Sequence, residues 1–294
     1  MTGSLEAVEA KVKDWLKGTA KPFVLGICGA QGSGKSTLSE GLAAHLEGEG
    51  LKVALLSLDD LYLAPEARPV DISPLFATRG VPGTHDVALG ERIFANLKAG
   101  QPTRLPRFDK ASDRPFTEEN WPEIVAPDVI IFEGWCVGAR AQSGTELTEP
   151  VNDLEREDDG AWRRAVNEAL KGPYADLFSH INRLILLVDD NHYMRVIVST
   201  MLRSMGITLI REASDGIDAL EIVRDWRIEQ ENTLRARLSA EGRTGAKVMS
   251  DGEVGRFIQY YERLTRHILQ TMPAYADLTL QLDSSRNMKP SPKY

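Results

Sequence analysis

Gly29-Ala30-Gln31-Gly32-Ser33-Gly34-Lys35-Ser36 follows directly on the apolar run Phe23-Val24-Leu25-Gly26-Ile27-Cys28. The octet has the form G-x-x-x-x-G-K-[ST], and an apolar-periodic stretch, residues 36–46, comes after it. A buried strand, a glycine-rich loop and a helix in that order form a cradle for a nucleoside triphosphate. Glycines let successive backbone N–H groups turn inward around phosphate oxygens. Lys35 is placed to reach the β- and γ-phosphates, Ser36 to ligate Mg²⁺ through its hydroxyl, and the helix to point its positive end at the anion. The nucleotide-binding candidates are therefore Gly29, Gln31, Gly32, Ser33, Gly34, Lys35, Ser36 and Thr37.

Outward from this loop, short apolar runs alternate with helical periodicity. Strands are predicted at 23–28, 52–58, 129–132, 184–188 and 278–282, and helices at 4–17 (capped by Ser4), 36–46, 87–98, 162–170 and 250–271. Residues 64–84 and 102–115 read as loops, 144–160 as an exposed acidic excursion, and 284 onward as a polar tail. Continuously apolar strands separated by helices imply a parallel sheet covered on both faces, whose ligands sit beyond the carboxyl ends of the strands. Lys35, Asp59, Asp60 and Glu133 all fall at such ends.

Those positions suit phosphoryl transfer. Asp59, in Ser57-Leu58-Asp59-Asp60-Leu61-Tyr62, is the first choice to accept the proton of an attacking hydroxyl or to hold metal, with Asp60 second. Lys35 and Asp59 are the catalytic candidates. Glu133, closing the strand Val129-Ile130-Ile131-Phe132, joins Ser36 as a metal candidate. In Arg79-Gly80-Val81-Pro82-Gly83-Thr84-His85-Asp86, Arg79 offers a bidentate grip on a carboxylate, and His85 and Asp86 offer hydrogen bonds to hydroxyls. The same run reads equally well as a Pro/Gly turn. Arg107-Phe108-Asp109-Lys110 and Asp113-Arg114 add anion-binding groups or a solvated charged loop. Arg227, Arg235 and Arg237 suit an arginine that closes over the transferred phosphate, or a solvated helix face.

The 294 residues are 42% hydrophobic and 27% charged, with a net charge of −8, which describes a globular chain and argues against nucleic acid as partner. Two cysteines, Cys28 and Cys136, at the ends of predicted buried strands fit a reducing cytoplasm rather than a disulfide framework. No apolar run of signal-peptide length begins the chain, and none approaches the ~20 residues of a membrane span.

Taken in order, the phosphate loop, Ser57-Leu58-Asp59-Asp60-Leu61-Tyr62, Arg79-Gly80-Val81-Pro82-Gly83-Thr84-His85-Asp86, Phe108-Asp109-Lys110 and Phe132-Glu133-Gly134-Trp135 resemble the P-loop glycerate kinases, relatives of uridine kinase, phosphoribulokinase and pantothenate kinase. The phosphate loop is common to many NTPases; the Pro-Gly-Thr-His-Asp run and Glu-Gly-Trp are far more selective. The resemblance covers roughly residues 20–185 and 224–283 and implies an α/β three-layer P-loop kinase with a mostly parallel sheet. It also implies ATP, Mg²⁺ and transfer of the γ-phosphoryl group to a hydroxyl of D-glycerate, a small hydroxy acid. On this resemblance Asp59 corresponds to the catalytic Asp and Glu133 to a metal-associated acid, while Arg79, His85 and Lys110 are acceptor-side candidates. A kinase of another small acceptor, such as a nucleoside or pantothenate, and a nucleotide-binding scaffold that does not turn over are the alternatives.

Residues 184–223 depart from that pattern. Leu186-Leu187-Val188-Asp189-Asp190-Asn191 and the stretch through Asp215-Gly216-Ile217-Asp218-Ala219-Leu220 resemble the first half of a response-regulator receiver, a flavodoxin-like βαβα segment. The phosphoacceptor strand, the switch Ser/Thr and the partner Lys do not follow. The expectation is one kinase domain over 1–294 with a receiver-like insertion that does not act in phosphorelay.

Overall fold

A computed structural model describes residues 2–30, 33–189 and 251–282. Helix α1 (Thr2–Leu16) leads into strand β1 (Phe23–Gly29), then α2 (Lys35–Gly48), β2 (Val53–Ser57) and α3 (Val87–Lys98). Four two-residue strands follow: β3 (Thr103–Arg104), β4 (Phe108–Asp109), β5 (Arg114–Pro115) and β6 (Glu123–Ile124). The chain then forms β7 (Val129–Gly134), α4 (Ala161–Lys171), α5 (Pro173–Ser179), β8 (Arg183–Asp189), α6 (Asp251–Thr271) and β9 (Leu278–Leu282).

Five strands make one sheet in the order β2-β7-β1-β8-β9, every pair parallel. The apolar runs explain this, since strands that alternate sides bury both sides. Phe23, Leu25 and Ile27 pack with Val8, Val12, Leu38 and Leu42 under α1 and α2. Val24 and Cys28 face the opposite layer with Phe94, Tyr174 and Leu177 from α3 and α5, and Leu264 and Ile268 from α6. Phe94 meets Phe132 edge to face at 5.3 Å between centroids. Each such fully buried side chain contributes roughly 1.5–3 kcal/mol. Gly26 has no room for more: a Cβ there would lie 2.9 Å from Ile181.

Register carries function upward from the sheet. Glu133 pairs with Ile27 of β1 and with Ser57 of β2, so the ends of three strands arrive at one level. The phosphate loop leaves β1 there, and the turn bearing Asp59 leaves β2 there.

Three expectations need correction. Helix α1 begins at Thr2, so Ser4 is inside the helix and not its cap. The 102–115 stretch is no plain loop: β3 pairs with β6, and β4 with β5, as antiparallel ribbons. The acidic 144–160 stretch, exposed over much of its length, is nevertheless anchored into the fold. Leu154 and Glu155 are fully buried. Arg263 of α6 grips Glu155 through two hydrogen bonds of 2.7 Å and donates to the carbonyls of Glu146 and Glu149. The stretch is sewn to α6 by a charge pair 108 residues apart in sequence, which its local composition does not reveal.

Of the receiver-like segment, residues 184–189 form most of β8, a central strand between β1 and β9. Its remaining residues, and Arg227, Arg235 and Arg237, lie outside the described residues. Among the described residues, no helix is long and apolar enough to cross a membrane. Cys28 and Cys136 are both buried and free, as expected.

Candidate active site

The phosphate loop ends on a device that the sequence anticipates. Gly34 precedes α2 with φ 85°, a left-handed conformation that favours glycine, and no side chain caps the helix. The first N–H groups of α2 are thereby left for an anion. A Cβ on Gly29 would lie 2.6 Å from the Ser33 hydroxyl, so the loop needs a glycine there for close approach. Ser33 Oγ and Lys35 are buried, and Ser33 Oγ has no hydrogen-bond partner. Gln31 and Gly32 lie outside the described residues. Thr37, one residue past Ser36, is on the exposed side of the first turn of α2.

Glu133 faces that turn. Its Oε1 accepts from Ser57 Oγ at 2.8 Å and from Ser36 Oγ at 3.3 Å. Its Oε2 is buried without a partner. Burial pushes the carboxyl above its ordinary value, opposed by the charge of Lys35 and the Ser57 and Ser36 hydroxyls. A buried, half-satisfied carboxylate beside a hydroxyl is a hard-oxygen donor set, which suits Mg²⁺. That ion keeps several waters and phosphate oxygens and needs few protein ligands. The absence of any cluster of three or more His, Cys, Asp or Glu that could hold a metal, among the described residues, is compatible with such a site.

Asp59 sits on the short 3₁₀ turn Leu58–Leu61 immediately after β2. Tyr62 Oη donates to Asp59 Oδ1 at 2.7 Å, and Lys110 Nζ donates to Oδ2 at 2.8 Å. Burial raises the carboxyl, but the Lys110 charge with the Lys110 and Tyr62 hydrogen bonds outweighs it and leaves Asp59 below its ordinary value. Asp60, the second choice as base, is engaged elsewhere. It accepts from the Phe108 amide at 3.1 Å and from Arg107 at 3.4 Å, and burial raises it.

Arg79 stands near Lys110. Its guanidinium donates to Asp113 Oδ1 at 2.5 Å and to the Lys110 carbonyl at 3.3 Å, and lies 5.9 Å from the Tyr62 ring centroid. His85 is buried, stacks on Tyr62 at 4.6 Å and shares a 2.6 Å hydrogen bond with Tyr174 Oη. Burial drives its pKa down to about 3, so the ring is neutral near pH 7. Asp86 caps α3 by accepting from the Leu89 amide at 2.8 Å. Lys110 thus contacts Asp59 and Arg79 lies beside the Tyr62 ring with its charge paired to Asp113, whereas His85 and Asp86 are engaged within the fold.

Three participants have no role in the sequence pattern: Tyr62, Ser57 and Arg68. Tyr62 stands three residues after Asp59, at the end of a helical turn, and that spacing is the signal for it. For Ser57, alternation with the strand residues points it at Glu133. Arg68, buried, and Asp113 meet at 2.7 Å through pairing that no local pattern encodes.

The sequence model of the family described as methylmalonyl Co-A mutase-associated GTPase MeaB matches residues 6–61, the stretch holding the phosphate loop. The chain is 30% identical over 277 residues to a Schizosaccharomyces pombe protein described as uncharacterized kinase mug58, covering 88% of this chain and 86% of that one. It is 26% identical over 290 residues to the chloroplastic D-glycerate 3-kinase of Arabidopsis thaliana, covering 90% of this chain and 54% of that one. The chain therefore spans about half the length of the Arabidopsis protein. The solved structure of D-glycerate 3-kinase from Cryptococcus neoformans superposes with TM-score 0.69 at 23% identity, covering 99% of each chain, a likeness of fold.

Proposed function

This chain belongs to the P-loop kinase family that includes D-glycerate 3-kinase and the uridine and pantothenate kinases, and from that premise we propose that it transfers the γ-phosphoryl group of ATP to a hydroxyl of D-glycerate. The observation that carries the acceptor reading is the pairing of a held carboxylate, Asp59, with the Lys110 ammonium, on a hairpin whose backbone also accepts from Arg79. A hydroxy acid presents a hydroxyl to the first and a carboxylate to the second.

In this reading the loop amides and Lys35 hold the triphosphate and stabilise charge on the transferring group. Ser36 and Glu133 would hold Mg²⁺, which when bound neutralises phosphate charge. Asp59, oriented by Tyr62, takes the proton of the acceptor hydroxyl. Arg79 and Lys110 bind the acceptor carboxylate, while His85 backs the Tyr62 ring and Asp86 caps α3. The receiver-like residues 184–223 are read as an insertion within the single kinase domain of 1–294, without a phosphorelay role, and the chain as cytoplasmic.

Acceptor-stimulated ADP release with Mg-ATP, measured across D-glycerate, pantothenate and uridine, tests the reading. D-glycerate is expected to give the highest kcat/KM. Preference for uridine or pantothenate reassigns the acceptor, and Mg-ATP binding with no stimulation by any of them favours a scaffold.

A further inference from the structure

Both oxygens of Asp59 already carry a donor, and the two donors differ in kind. Tyr62 belongs to the turn itself and is clamped by stacking on His85. Lys110 arrives from the β4–β5 hairpin, 51 residues on, and its side chain is 58% exposed against 17% for Asp59. The hairpin is anchored independently of that contact. The Phe108 amide and Arg107 hold Asp60, and Asp113 holds Arg68 and Arg79. Lys110 is therefore a long unbranched cation at the end of a fixed arm, joined to Asp59 by a single hydrogen bond. Its ammonium can leave that contact without disturbing the fold.

We propose that Lys110 is a charge-selecting gate on the base: it occupies Asp59 until the carboxylate of an acceptor draws it away, so that the site activates the hydroxyl of an anionic hydroxy acid and stays idle toward neutral alcohols and water. The inference rests on the kinase reading and assigns to Lys110 the selection of its anionic acceptor. A lysine ammonium within hydrogen-bond distance of a carboxylate competes directly with the hydroxyl proton for the same oxygen. Moving it to a second carboxylate exchanges one ion pair for another and costs little. With a neutral acceptor no such partner exists, and separating the pair in a partly buried site is unfavourable. Arg79 donates to the Lys110 carbonyl and ties the lysine's backbone in place, so only the side chain has to swing.

When the gate is open, the acceptor O–H bond breaks with its proton passing to the Asp59 carboxylate. The oxygen bonds to the γ-phosphorus, the bond from that phosphorus to the β-phosphate oxygen breaks, and ADP leaves. With water in place of the acceptor, the same sequence releases inorganic phosphate.

Lys110→Met and Lys110→Arg, assayed with Mg-ATP alone, with D-glycerate and with glycerol, test the gate; Lys110 is exposed, so neither variant threatens folding. Lys110→Met is expected to raise acceptor-free ATP hydrolysis at least ~5-fold and to lower the glycerate-to-glycerol ratio of kcat/KM at least ~10-fold. Lys110→Arg should keep the ratio, and Asp59→Asn added to Lys110→Met should cancel the rise in hydrolysis. Hydrolysis unchanged or lower in Lys110→Met overturns the gate, as does an equal loss toward both acceptors. The hydrolysis arm needs no acceptor. A wild-type chain that D-glycerate fails to stimulate, with hydrolysis still raised by Lys110→Met, would sink the glycerate reading and leave the gate standing.

Discussion

Ser36 Oγ lies 3.3 Å from Glu133 Oε1, although the two are 97 residues apart. The parallel register sets this distance: Glu133 pairs with Ile27, two residues before the phosphate loop begins, and the loop returns Ser36 to the same level. The second Glu133 oxygen is buried and unpartnered. Glu133→Gln keeps the shape and removes the charge. We expect it to raise the Mg²⁺ concentration needed for half-maximal ADP release by about 10-fold or more. An unchanged Mg²⁺ dependence would remove Glu133 from the metal site.

Asp59 is held by Tyr62 and Lys110 at 2.7 and 2.8 Å. Asp59→Asn retains the size and loses the proton acceptor. It should lower kcat by about 10²–10⁴-fold while Mg-ATP binding, followed by calorimetry, stays within a few fold of wild type. A kcat close to wild type would transfer the base role elsewhere.

His85 is neutral in the fold, its pKa driven down to about 3 by burial, against an ordinary value of 6.5. The unfolded chain therefore binds a proton that the folded chain refuses between those values. Stability from this group is complete above pH 6.5 and declines as pH falls toward 3. From pH 7 to pH 5 it accounts for about 2 kcal/mol of lost stability. Urea denaturation at the two pH values should show a loss smaller by about that amount in His85→Gln. Equal losses in the two proteins would contradict a neutral His85.

Gly80 has φ 131°, and a Cβ on it would lie 2.2 Å from the Tyr261 hydroxyl. Gly18 also has positive φ, at 80°, but nothing lies within 4 Å. Gly80→Ala should cost about 2–4 kcal/mol and disturb Arg79 beside it, while Gly18→Ala carries only the backbone strain of about 1 kcal/mol. Equal effects in thermal melts would mean that Tyr261 does not pack against this loop.

Arg263 meets a Glu155 that is fully buried. Arg263→Met leaves that charge uncompensated and should destabilise by about 3–5 kcal/mol. Adding Glu155→Met should recover part of the loss. A double variant as unstable as the sum of both singles would show that the two residues act independently.

What could be read without coordinates follows from what is local. The phosphate loop declares itself because strand, glycines, Lys35 and Ser36 are contiguous, and the strands because both their faces are apolar. Glu133 and Asp59 were legible because each ends such a strand. The Lys110–Asp59 and Asp113–Arg68 pairs were not, since a surface-like Arg/Lys/Asp loop looks the same whether its charges meet solvent or each other. The burial of Leu154 and Glu155 was hidden for the same reason: the residues that hold them, Gln259 and Arg263, lie far along the chain on α6.

The most direct measurement of the central claim is phosphorus NMR of the chain incubated with Mg-ATP and D-glycerate. The account predicts that the γ-phosphate signal decays as a phosphoglycerate signal grows in equal amount with ADP, and that Lys35→Ala abolishes both. ATP that stays intact in the presence of D-glycerate and of every other hydroxy acid tried, with the wild-type chain folded and Mg-ATP bound, would contradict it.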